Sequence, residues 1–252
     1  MENKRHLKKF ENQSVYDSQK DEVMAMPHVV LLEDTRKVVF ASNKATPSDP
    51  FNGFEYVDLG LPSGTLWATS VLSNADGEPL YFQWGDTEGW TAEQVQNGEK
   101  SFAGDGSDYK WNGGEFACDG SSMTKYNATD GKTVLDLEDD AAHVHMGGDW
   151  HMPTKEQLEE LTANTTSTWT TKNGVNGRLF TASNGKALFV PAFGCVNDGN
   201  VYYVGSYGNV WGGSVDGESF YDAWYLCFDS SYVSMYYGTR VCGHSVLGVV
   251  GK

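Results

Sequence analysis

Gly147-Gly148-Asp149-Trp150-His151-Met152-Pro153-Thr154-Lys155-Glu156-Gln157-Leu158-Glu159-Glu160-Leu161 (GGDWHMPTKEQLEEL) is the stretch from which the fold is read. Thr154 can cap a helix, Gln157 completes a capping box, and Leu158 and Leu161 then share one face. A second helix is expected over Leu137 to Met146, because Glu138, Asp139 and Asp140 suit a helix N-terminus. Outside these two helices the chain reads as strands and turns. Tyr56 to Gly64 is a strand entering a turn, followed by Leu66-Trp67-Ala68, and Leu80 to Gly85 is an aromatic strand. From Gly177 onward, Arg178 to Ala182, Ala187 to Pro191 and Asp222 to Phe228 are further strands. Residues 97–132, rich in Gly, Asp, Asn and Ser, make a long excursion with little regular structure.

The composition agrees with many short strands. The 252 residues include 29 Gly, 13 Tyr and 8 Trp, a blend that favours turns and pleated surfaces over helical bundles. Residues 1–26 are polar and charged, read as helical or mobile. Val29 to Leu32 and Lys37 to Phe40 form a hairpin around Glu33 to Arg36, and the proline-bearing run Ala45 to Pro50 is a linker. The expected organisation is an N-terminal segment, 1–52, as a possible attachment element, then a ligand-binding domain, 53–252.

A formal net charge of −16 repels phosphate backbones and anionic headgroups, so neither nucleic-acid binding nor membrane insertion is expected. Met1 to Phe10 lacks the apolar core of a secretion signal, which implies synthesis in a cytoplasm. Cys118, Cys195, Cys227 and Cys242 form no C-x-x-C pair, which points to neither a zinc site nor a disulfide framework.

The blocks YVDLGLPSGTLWA (56–68), FQWGDT (82–87), EDDAA (138–142), GGDWHMPTKEQLEEL (147–161), WTTKNGVNG (169–177) and LFVPAFG (188–194) occur in order. Gly205 to Ser214 and Trp224 to Phe228 continue the series. Together they resemble a family of gut-bacterial and phage proteins, the major paralogous domain, whose fold is that of C-type lectins and sulfatase-modifying enzymes. The resemblance implies an α+β, C-type-lectin-like domain with short strands, two helices and long loops behind a small N-terminal segment. That fold hosts lectins, enzymes and adhesins, so function must come from the site.

In Trp224-Tyr225-Leu226-Cys227-Phe228-Asp229 a period of two sends Trp224, Leu226 and Phe228 inward and Tyr225, Cys227 and Asp229 outward. The same phase over Tyr232 to Tyr236 turns Val233 and Met235 in, and Tyr232, Ser234 and Tyr236 out. An outer face of Tyr, Ser and Asp has the composition of an antibody combining site, where Tyr offers large contact area at low entropic cost. Against the family pattern, Trp211, Ser214, Trp224, Leu226, Phe228, Arg240, Gly243 and Val246 keep their type. Departures fall at Val210, Gly212, Gly213, Tyr221, Asp222, Cys227, Asp229 and Tyr232. They continue at Ser234, Tyr236, Tyr237, Thr239, Val241, Cys242, His244 and Leu247. None of these is Lys, Glu, Gln, Met or Trp, the types that adenine mutagenesis of Asn codons does not reach. The set resembles the variable positions of proteins diversified by retroelements. It is the expected ligand-binding surface, with one contiguous outward patch.

Other chemistry is weaker. His143, His145 and His151 lie near Asp139, Asp140 and Asp149, yet His-x-His at a helix end points its rings apart, and His151 is read as a structural hydrogen-bonding residue. Glu138-Asp139-Asp140 reads as solvated helix-start charge, and the calcium motifs of sugar-binding lectins do not occur. Nothing near Cys227 or Cys242 lowers a thiol pKa, and no nucleophile elbow, P-loop or Rossmann fingerprint is present. The expectation is therefore a non-enzyme without metal or cofactor. It recognises a protein or glycan on a bacterial surface, carried on a phage tail or fibre. The alternative is a virion or homo-oligomer subunit that uses the same face as a permanent interface.

Overall fold

The computed structural model describes residues 51–251, apart from 115, 116, 118 and 119, together with two short strands ahead of them. The chain divides into two units, Met1–Gly53 and Phe54–Lys252. In the first, β1 (Val30–Leu32) pairs antiparallel with β2 (Lys37–Val39), the expected hairpin. The expected helical or mobile stretch 1–26 and the linker 45–50 lie outside the described residues.

The second unit mixes helices and sheets, with sheets dominant. Its main sheet runs in the order β12-β11-β10-β13-β4-β3. The strands are β3 (Tyr56–Asp58), β4 (Leu66–Val71), β10 (Gly208–Val215), β11 (Asp222–Phe228), β12 (Val233–Thr239) and β13 (Ser245–Val250). A three-stranded sheet holds β5 (Thr165–Lys172), β6 (Val175–Ala182) and β7 (Ala187–Pro191), and a hairpin joins β8 (Cys195–Asn197) to β9 (Asn200–Tyr202). β13, read SVLGVV, is buried at every position, as a strand covered on both faces should be. It lies parallel to β10 and antiparallel to β4, so the last strand closes the sheet between the earliest and the later ones.

The helices are α1 (Ala92–Gln96), α2 (Ala141–Met146) and α3 (Lys155–Ala163). The reading of two helices missed α1, although Thr91 and Gln94 form a complete capping box there. The element expected over 137–146 splits into a 3-10 turn, Leu137–Asp139, and α2, with Asp140 capping α2 through the His143 amide. Leu80 to Gly85 is not a strand; it makes only isolated bridges, among them Phe82 with His244.

α3 follows the sequence closely. Thr154 and Gln157 form the capping box, and Leu158 and Leu161 are fully buried. Its polar side docks onto the Leu61–Thr65 turn: Glu160 accepts from the Ser63 amide at 2.7 Å and hydroxyl at 2.5 Å, and the Gln157 amide donates to Thr65 Oγ1 at 3.1 Å. The Lys155 amide donates to Ser214 Oγ of β10 at 3.1 Å. Gly212 is small because α3 arrives there; a Cβ would stand 3.1 Å from Leu158 Cδ1 and from the Pro153 oxygen.

The excursion 97–132 lacks helices and strands among its described residues, as expected, but it contributes core. Tyr109, Trp111 and Tyr126 are buried around Arg240, which is itself fully buried. Arg240 donates to Tyr109 Oη at 2.9 Å and to the carbonyls of Lys125, Tyr126 and Phe220, and its guanidinium lies 4.7 Å from the Trp84 ring. The end of β12 is thereby fastened to the excursion.

Candidate ligand-recognition face

The two faces of β11 alternate as expected, but Cys227, expected outward, is buried, and Trp224, expected inward, is half-buried. On one side Lys155 Nζ of α3 sits 4.1 Å over the Trp224 ring, and Phe228 meets Phe180 of β6 edge-on at 6.3 Å. Leu226 and Phe228 are closed to solvent. On the other side Tyr225 packs against Trp211 at 5.5 Å and against His244 at 4.7 Å.

From that point a continuous run of rings leads outward. Tyr225 stacks on Tyr236 at 6.2 Å, Tyr236 meets Tyr232 at 6.3 Å, and Tyr232 meets Tyr207 at 6.5 Å. Tyr207 meets Tyr203 at 5.1 Å, and Tyr203 meets Tyr202 at 5.9 Å. The run begins on fully buried Trp211 and reaches solvent at Tyr203, 60% exposed, with Tyr202 exposed beyond it. Each separation falls in the range where aromatic pairs attract beyond simple burial.

Thiols lie along this ladder. Cys227 Sγ is 3.4 Å from Tyr232 Oη, and Cys242 Sγ is 3.9 Å from Asn197 Oδ1 of the β8–β9 hairpin. That hairpin is fixed by paired amide bonds between Val196 and Gly243, at 2.8 and 2.9 Å. Burial pushes Cys195 up to about 11, with Cys227 adding to the shift. Burial likewise carries Cys242 to about 12, helped by Cys195, Asp198 and Asp222, and raises Cys227. These thiols are protonated at neutral pH, which suits packing and not nucleophilic attack.

The expected surface divides into three groups. Tyr232, Ser234 and Tyr236 lie along the ladder with Cys227, Ser234 opposite Cys227 in the register, and Asp229 accepts from the Tyr232 amide at its rim. Cys242 and His244 lie beneath. Tyr221, Asp222 and Thr239 are half-buried at the far end of β11 and β12, where Asp222 pairs with Thr239. The remaining positions correct the expectation of one outward patch. Val210, Cys227, Val241, His244 and Leu247 are closed to solvent, Cys227 beneath Tyr232, so their side chains touch no ligand in this conformation. Gly212 and Gly213 are buried beside Leu158 and Met152. Tyr237, though 56% exposed, packs on Trp224 at 5.3 Å, on the side opposite Tyr236. Val233 and Met235 are half-buried, not fully inward, because β12 ends the sheet.

Comparison with protein-family models, curated proteins and solved structures gave no match. The site must therefore be argued from its own geometry.

Sequence reasoning missed Tyr202, Tyr203 and Tyr207, together with Cys195 and Asn197. A signal existed in Tyr202-Tyr203-Val204, three large apolar residues within a turn-rich stretch, all of them exposed. Tyr225 is outward by alternation, but it is not among the departing positions.

The histidines diverge. His143 Nδ1 lies 3.0 Å from the Trp150 carbonyl, His145 Nε2 lies 2.9 Å from that of Thr87, and His151 Nδ1 lies 2.8 Å from that of Met152. The one close grouping of metal-ligating side chains among the described residues is Asp136, Glu138 and Asp139. Lys125 already sits against all three, at 3.3 Å from Asp136 and 3.1 Å from Glu138, and also paired with Asp139. No helix among the described residues is long and apolar enough to cross a membrane.

Proposed function

We propose that this chain is a non-enzymatic recognition protein whose tyrosine ladder is the ligand-contacting face of a C-type-lectin-like domain. The ligand is a protein or glycan on a bacterial surface, and the setting is a phage tail or fibre. The observation that carries the reading is the unbroken run from Tyr225 to Tyr203, exposed at its outer end, on a sheet backed by α3 and fastened at the end of β12 by Arg240. A rigid aromatic face spends little conformational entropy on binding. The blocks around Ser63 and Glu160, two of those that carry the resemblance, bond to each other directly. Diversification by a retroelement would act on Tyr232, Ser234 and Tyr236 without disturbing Trp224, Leu226 or Phe228.

A double variant, Tyr232→Ser with Tyr236→Ser, tests this reading. Circular dichroism and melting temperature should stay near wild type, while adsorption to host cells should fall at least about tenfold, the loss of two aromatic contacts in a hot spot. Unchanged adsorption by the folded double variant would overturn the assignment.

A second reading has its own observation. β12 terminates the sheet, and an open edge invites pairing with another chain. If the face is a permanent subunit interface, the same double variant changes the molecular mass measured by light scattering, and no adsorption depends on the free face.

A further inference from the structure

Most cations of the second unit are engaged. Lys100, Lys110, Lys125, Lys132 and Lys155 hold carboxylates. Arg178 and Arg240 are buried and donate to carbonyls. Among the described residues, Lys172 and Lys186 have neither an acid nor a hydrogen-bonding partner for the ammonium, in a chain with 34 Asp and Glu against 18 Lys and Arg.

The two differ in what surrounds them. Lys186 belongs to the exposed β6–β7 turn. Lys172 ends β5 at the Asn173-Gly174 turn, and its Nζ stands 5.8 Å from the centre of the Phe189 ring. Strand register explains the approach. Leu188 and Val190 are buried, so alternation turns Phe189 and Pro191 to the other face of β7, the face that Val175 and Lys172 share. Gly177, opposite Pro191, makes room there, since a Cβ would stand 2.7 Å from Phe189 Cζ. With Phe193 and the end of β4, this face lines a hollow of about 260 Å³. The Phe193 carbonyl accepts from Tyr81 Oη at 2.6 Å, which fixes that part of the wall. Exposed Ser70 and Ser73 bring hydroxyls to the lining, and no carboxylate is part of it.

We propose that this hollow is a binding site for one sugar ring that bears a carboxylate within an otherwise neutral glycan. Phe189 and Pro191 offer an apolar surface to the C–H face of a pyranose, the serine hydroxyls match its hydroxyls, and Lys172 meets its carboxylate. A mostly apolar lining with a few placed polar groups is the common design of small-molecule sites, and the size suits one ring, below the roughly 300–1,000 Å³ of drug-sized pockets. The net charge of −16 repels anions at a distance, so a polyanion that meets a single lysine is disfavoured. One carboxylate is the charge this site matches. The hollow shares no residue with the tyrosine ladder, so the inference does not rest on the function assigned to that face.

The test titrates the full chain, labelled with nitrogen-15, with methyl glucuronide and with the methyl ester of the same sugar at low salt, followed by nuclear magnetic resonance. Amide shifts should gather at Ser70, Asn173 and Val175. The acid should bind about fivefold more tightly than the ester, the advantage an exposed lysine–carboxylate pair allows, and 1 M salt should remove that advantage. Lys172→Gln should abolish it, whereas Lys172→Arg and Lys186→Gln should keep it. Phe189→Leu should weaken both sugars alike. Equal binding of acid and ester overturns the proposal, as does the absence of binding or a set of shifts lying elsewhere. An advantage that survives Lys172→Gln, or one that falls equally with Lys186→Gln, overturns it too. Host adsorption by the Tyr232→Ser, Tyr236→Ser variant is a separate measurement, so either reading can fail without the other.

Discussion

His244 sits 4.2 Å from the Trp211 ring and 4.7 Å from Tyr225, closed to solvent. Burial pulls its imidazole down to about 3, so the ring is neutral across the physiological range. In the unfolded chain the same ring takes up a proton near its ordinary value of about 6.5. The folded state is therefore fully favoured above that value and loses stability as pH falls toward 3, by up to about 1.4 kcal/mol per unit. Urea unfolding at pH 7 and pH 5 should show a drop about 2 kcal/mol larger for the wild type than for His244→Asn. Equal drops in the two proteins would show that His244 does not set the acid limb. The same residue shows a limit of sequence reading. The sequence reading set His244 on the outward face, yet its place under Trp211 depends on the pairing of Phe82 with His244, far apart in the chain.

At the scale of elements, local signals were legible and long-range ones were not. The capping box of α3 and the alternation of β11 could be read because each depends on neighbours within a few residues. Thr154→Ala should cost about 1 kcal/mol, read as a shift in the unfolding midpoint, because Thr154 Oγ1 satisfies the Gln157 amide. Thr154→Ser should restore most of it; a neutral alanine variant would mean that tertiary docking alone sets the start of α3. Two local signals went unused. Asn173-Gly174, with φ of 52° and 80°, is a hairpin turn of the strongest kind, and it joins β5 to β6 over their full length. Thr91 and Gln94 announced α1 in the same way. The burial of Tyr109, Trp111 and Tyr126 could not be read, because the partner that organises them, Arg240, lies more than a hundred residues downstream. The ladder was half legible for a similar reason: β11 and β12 supply its inner rings, but Tyr202, Tyr203 and Tyr207 arrive from β9 and the loop after it.

Across the whole unit, β13 is the strand on which the main sheet depends. It is buried at each position and joins β10 to β4. Deleting residues 245–252 should abolish cooperative thermal unfolding and near-ultraviolet dichroism, since the two halves of the sheet then face each other across a gap. A sharp transition in the shortened protein would show that the halves close without it. On a ribosome, this architecture makes assembly wait until the segment following the tyrosine face has been synthesised. A frameshift or stop codon introduced anywhere in that face yields a chain that never folds, and proteolysis removes it. Ordinary missense changes on the ladder leave the final strand intact. Synthesis itself thus screens which altered chains reach the folded state.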